Sequence, residues 1–99
     1  ESISVEDTLA LDRFSHNVGI AFQIKDDILD VVGNTKTIGK PVRSDEFLRK
    51  ATYPALFGVD ASQSRCEELL KQALNELTRF GDTGAPLAWL ARFIVERGL

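Results

Sequence analysis

From Ile20 to Val32 the chain has no proline and no glycine, and it sets three carboxylates, Asp26, Asp27 and Asp30, among apolar side chains. This stretch constrains the fold more than any other. Its apolar residues Phe14, Val18, Ala21, Phe22, Ile28, Leu29 and Val32 recur at three- and four-residue steps, which specifies a helix rather than a strand. Projected at ~100° per residue, the apolar side chains of the whole run, Ile20, Ile24 and Val31 included, fill an arc of roughly 200°, wide for a helix with one wet side. The expectation is a rod largely enclosed by neighbours. Its remaining arc collects Gly19, Gln23, Asp26 and Asp30 in one polar line, with Asp27 at the edge.

Carboxylates on successive turns repel, by a few tenths of a kcal/mol on an exposed helix and by more where water is scarce. Asp30 also lies toward the C-terminal end, where the helix dipole disfavours negative charge. A positive partner is required. Mg²⁺ meets the requirement, because it takes oxygen ligands, keeps several waters and commonly uses one or two carboxylates with substrate phosphates. A solvated acidic face is the competing reading of so short a motif. The wide apolar arc and the aligned Gln23 weigh against it.

Ninety-nine residues, 43% of them hydrophobic, make one domain or less. A net charge of -3 leaves no broad basic surface, which excludes ordinary nucleic-acid binding. Cys66 is alone, so no internal disulfide forms and a reducing, cytoplasmic setting is expected. No apolar run has the length of a membrane span, and no signal peptide is visible. The first residue is Glu1 rather than Met, which suggests a fragment of a longer bundle.

Ser4 and Asp7 have the spacing of a capping box, predicting a helix from about Val5 to about Val32, ~40 Å long. Gly33-Asn34 should end it, since both residues tolerate the left-handed cap conformation. Thr35 to Arg43 reads as a loop broken by Gly39 and Pro41, followed by a turn or two over Ser44–Arg49. The region carries Lys36, Lys40, Arg43 and Lys50, which either balance surface charge or grip a phosphate. Thr52-Tyr53-Pro54 starts a short helix that stops near Gly58. Asp60 or Ser62 would cap the next, whose Cys66, Leu69, Leu70, Ala73, Leu74 and Leu77 form an amphipathic stripe ending around Phe80-Gly81. The stripe makes Cys66 a packed, inert thiol. After a turn at Asp82-Thr83-Gly84, Leu87, Leu90, Ala91 and Ile94 form a second stripe, flanked by Trp89 and Phe93 as packing residues. His16 falls on the polar side near the helix start and receives no role.

The segment Phe22-Gln23-Ile24-Lys25-Asp26-Asp27-Ile28-Leu29-Asp30 resembles the second aspartate-rich motif of trans-isoprenyl diphosphate synthases, the family of farnesyl and geranylgeranyl diphosphate synthases. The likeness continues through Gly39-Lys40, Asp45, Lys50 and Thr52-Tyr53-Pro54-Ala55-Leu56 at matching spacing. It is strong from about Leu11 to Gly58 and looser through the last two helices.

The resemblance implies an all-α isoprenoid-synthase helical bundle, usually a homodimer. Residues 1–99 would be the C-terminal portion of one such domain, with the N-terminal portion of the same enzyme absent. It implies a prenyltransferase that ionises an allylic diphosphate with metal assistance and condenses it with isopentenyl diphosphate. Asp26 would ligate Mg²⁺, and Asp27 and Asp30 would ligate it or orient its waters. Lys40 and Lys50 would bind the allylic diphosphate, and with Asp26 they form the expected catalytic set. Gln23 and Phe22 would line the substrate cavity, and Arg97 would sit near isopentenyl diphosphate. Arg43 departs from the family's usual glycine. Lys25 projects toward the apolar arc for no reason visible in the sequence. The family's first aspartate-rich motif is not in this chain, so the isolated chain is expected to be inactive. Two other readings compete: a noncatalytic helical interaction subunit using the two stripes, and a related class I terpenoid enzyme such as a cyclase. The Lys40…Lys50 spacing argues against the cyclase.

Overall fold

A computed structural model describes residues 3–38 and 52–96. The described residues form helices and no strand: α1 (Val5–Ile38), α2 (Tyr53–Phe57), α3 (Val59–Glu76), a 3-10 segment (Leu77–Gly84) and α4 (Ala85–Glu96). The all-α architecture expected from the sequence is therefore present. Lys40, Arg43, Lys50 and Arg97 lie outside the described residues, as does the segment Ser44–Arg49.

The predicted capping box starts α1. The Asp7 amide donates to Ser4 Oγ at 3.0 Å, and the Ser4 amide reaches back to Asp7 Oδ2 at 3.5 Å. The helix does not stop at Gly33-Asn34 but continues to Ile38. Glycine and asparagine permit a left-handed cap without imposing one, so they are weak stop signals when the helical hydrogen bonds can continue.

Thr52 caps α2 by accepting from the Ala55 amide at 3.3 Å, with Pro54 in the first turn as its missing N–H allows. Gly58 ends α2 at φ 91, a conformation that favours glycine. The same Gly58 opens α3, whose first residue is Val59. Asp60 and Ser62 thus lie inside the helix instead of capping it. The Ser62 hydroxyl donates back to the Gly58 carbonyl at 2.6 Å, which satisfies a fully buried polar group locally.

Helix α3 runs antiparallel to α1. Cys66 meets Ala21 and Glu76 meets Arg13, so numbers rise on one helix as they fall on the other, and just past α3 Arg79 of the 3-10 segment meets Asp7. The seam buries Phe14, Ala21, Ile24, Lys25 and Ile28 from α1 against Cys66, Leu69, Leu70 and Ala73 from α3. The α3 stripe is therefore the predicted one, with Leu74 at its half-buried margin. Arg13 holds Glu76 in a two-pronged ion pair at 2.9 and 3.0 Å, and Arg79 holds Asp7 at 2.8 Å. Each arginine keeps the carboxyl it contacts below the usual carboxylate range.

Gly81, at φ 58 and ψ -136, breaks the 3-10 segment and turns the chain back. Helix α4 then packs through Ala91 and Val95, with Ala88 and Ile94 half-buried. This rotates the predicted stripe: Leu87 and Leu90 lie toward its exposed side. Trp89 and Phe93 stack at 5.5 Å on that side and are not packed into the core of the described residues.

The molecule measures 55 × 22 × 19 Å. Its two short dimensions correspond to about two helix diameters. One layer of helix covers α1, so it is not enclosed over most of its circumference by the described residues. Phe22, placed on the apolar arc by periodicity, is 39% exposed for this reason.

Candidate functional site

The open side of α1 carries the acidic motif. Asp26 and Asp30 are exposed and Asp27 is half-buried. Gln23 Nε2 donates to Asp27 Oδ1 at 3.3 Å, one turn along the same helix. That bond ties down one carboxylate oxygen and leaves the other available to a ligand.

A cleft of about 950 Å³ runs along this face between α1, the start of α2 and α3. Gly19, Gln23 and Asp27 recur on its α1 wall, with His16 one turn earlier and Ile20 and Ile24 adding apolar surface. Thr52 and Tyr53 bring the capped end of α2 to the cleft, and Arg65 brings a cation from α3. Tyr53 is buttressed by Phe57, its ring centre 4.6 Å away. Asp27, expected at the edge of the polar line, is thus the carboxylate that faces the cleft.

Among the described residues no three His, Cys, Asp or Glu side chains converge into a cage. The exposed carboxylates offer hard oxygen donors, of which Mg²⁺ commonly uses one or two, completing its shell with waters and phosphate oxygens. They do not suit a structural zinc, which needs four closed nitrogen or sulfur ligands.

Two residues near the motif serve packing. Lys25, adjacent to Asp26, is 1% exposed and points into the α1–α3 seam beside Cys66. Its long stem fills apolar space, which accounts for its place on the apolar arc. Cys66 is fully buried, and its Sγ–H donates to the Ala21 carbonyl at 3.4 Å. Burial raises the thiol's pKa despite the Lys25 charge, so the inert thiol expected from the stripe is what the structure holds.

Asp26, Asp27, Asp30, Gln23 and Phe22 lie on one helix, as their spacing predicts, and the structure brings Gln23 and Asp27 together. In the sequence Thr52 and Tyr53 mark only a helix start, and nothing singles out Arg65. Only the antiparallel register would have revealed them, since it aligns residue 65 of α3 with the turns of α1 that follow Ala21.

The model of the polyprenyl synthetase family matches residues 2–83. The chain is 42% identical over 87 residues to the dimethylallyltranstransferase of Fischerella ambigua (strain UTEX 1903), covering 88% of this chain and 25% of that protein. It is 40% identical over 90 residues to the farnesyl diphosphate synthase of Escherichia coli (strain K12), covering 88% of this chain and 30% of that protein. Over 85 residues it is 40% identical to the geranylgeranyl diphosphate synthase of Cyanophora paradoxa, covering 86% of this chain and 28% of that protein. The chain thus spans less than a third of the length of these relatives. A helical acidic face beside a cleft lined by Gln23, Asp27 and Arg65, a family match over most of the chain and this level of identity agree: the chain belongs to the polyprenyl synthetase family.

Proposed function

We propose that this chain forms the C-terminal portion of a prenyl diphosphate synthase, supplying one acidic wall of an active site completed by an N-terminal portion and used by a homodimer in the cytoplasm. Its substrates are an allylic diphosphate and isopentenyl diphosphate. The allylic carbon–oxygen bond breaks with its electron pair leaving on diphosphate. The double bond of isopentenyl diphosphate then attacks the cation, and loss of a proton restores a double bond. The relatives' names support the reaction class, and no helix among the described residues is long and apolar enough to cross a membrane.

Asp26 and Asp30 present exposed oxygens to a metal ion, and Asp27 is held by Gln23 at the cleft. Bound Mg²⁺ would neutralise charge developing on the leaving diphosphate. Phe22 and Ile20 offer apolar surface beside the acids, which suits exclusion of water from a cation. Lys40, Lys50 and Arg97 would complete the grip on the two diphosphates.

The observation that carries this reading is the Gln23–Asp27 bond beside exposed Asp26 and Asp30 in a family member. Calorimetric titration of the chain with Mg²⁺ and inorganic pyrophosphate tests it. Asp26→Asn should weaken the Mg²⁺-dependent binding by about tenfold or more, as loss of a charged ligand does. Unchanged binding would overturn the assignment. The chain alone should show no turnover with both substrates and Mg²⁺; measurable product would refute the need for a second portion.

A further inference from the structure

We propose that Arg65 is a diphosphate-binding residue that works with Asp27 across the α1–α3 cleft, an inference that rests on the function proposed above. Arg65 lines the α3 wall of the cleft whose α1 wall carries Gln23 and Asp27. Its neighbour Cys66 is locked in the seam with Sγ 3.4 Å from the Ala21 carbonyl, so the backbone at 65 is held firmly against α1. The guanidinium therefore stands on a rigid platform.

Among the described residues, Asp27 and Arg65 share one void without forming an ion pair. Arg65 instead donates through one NH group to Glu68 at 2.7 Å, an i,i+3 contact with side chains 38% and 58% exposed. Such a pair contributes little and exchanges readily. The other N–H groups of the guanidinium fork have no protein partner among the described residues. That fork matches a phosphate in two-pronged fashion.

The carboxylate selects among anions. Asp27 repels a bare anion from the cleft, so the ligand must bring its own cation to that wall. A metal-bound diphosphate does this, setting metal toward Asp27 and phosphate oxygens toward Arg65. A simple carboxylate or sulfate does not. Thr52 and Tyr53 lie at the same cleft with hydroxyl groups able to donate to a phosphate.

The test is titration of the full chain with inorganic pyrophosphate, with and without Mg²⁺, helicity being checked by circular dichroism. Arg65→Ala should weaken Mg²⁺-pyrophosphate binding about tenfold while leaving binding of Mg²⁺ alone unchanged. Arg65→Lys should recover part of the loss, since a point charge replaces a fork. Glu68→Ala, which frees the guanidinium, should leave affinity equal or higher. Pyrophosphate that binds equally well in excess chelator would overturn the proposal, because the metal would then play no part. If Asp26→Asn weakens binding and Arg65→Ala does not, Arg65 is a surface ion pair only and the proposed function stands. If the unmodified chain binds no Mg²⁺-pyrophosphate, both are overturned.

Discussion

The two sides of α1 obey different rules. The side turned to α3 is dry and interlocked: Ile28 is 1% exposed, Ala21 is fully covered, and Lys25 has been drawn in with them. The side turned away keeps Asp26 and Asp30 exposed and leaves Gly19 with nothing within 4 Å of where a Cβ would stand. Both sides belong to one helix and share its propensities, so propensity does not distinguish them. The difference is the presence of a neighbour. Where α1 and α3 touch, apolar contacts set the structure; where they part, polar side chains face a cleft.

This contrast can be broken most forcefully on the covered side. Ile28→Ala should cost about 2–5 kcal/mol of unfolding free energy, because it removes packed atoms and leaves a cavity. A denaturant midpoint close to that of the unmodified chain would mean the seam is not the core. On the open side the sign reverses. Gly19→Ala should stabilise the chain by about 0.5–1 kcal/mol, since alanine is the better helix former and its methyl group meets no described atom. Destabilisation there would show that another surface already covers the cleft face.

The smallest effect concerns the ion pairs at the edge of the seam. Asp7 and Glu76 have folded pKa values below their ordinary ones, held down by Arg79 and Arg13. Their contribution is therefore present above the unfolded carboxyl range near pH 4 and is lost as pH falls through the lower folded values. Arg13→Ala should flatten the acid limb of a thermal-stability profile slightly. A steeper acid limb in that variant would reject the pairing. The pairs are exposed, so salt should mute the effect.

Local signals in the sequence were read correctly where they depend on atoms close along the chain. The Ser4–Asp7 box, the Thr52 cap with Pro54 and the Gly58 stop all involve partners within a few residues. The α3 stripe is legible because Cys66, Leu69, Leu70 and Ala73 are buried together at helical spacing. The buried face of α4 lies part of a turn away from the stripe its spacing predicts. Its Leu87 and Leu90 have the right spacing, but small Ala88 and Ala91 allow the closer approach that the fold uses.

The sequence by itself determined the helices, the caps at Ser4 and Thr52 and the placing of Gln23, Asp26, Asp27 and Asp30 on one side of α1, because helical geometry repeats every few residues whatever surrounds it. Its motif also pointed to the family that the wider comparison established. Tertiary structure alone decided which carboxylate faces the cleft, that Lys25 is buried beside Cys66, and that Arg65 and Tyr53 join the acidic helix. Those facts depend on the antiparallel register of α1 and α3, which is fixed by apolar packing between residues some 45 positions apart. No local periodicity encodes that register, because it is a property of two surfaces meeting.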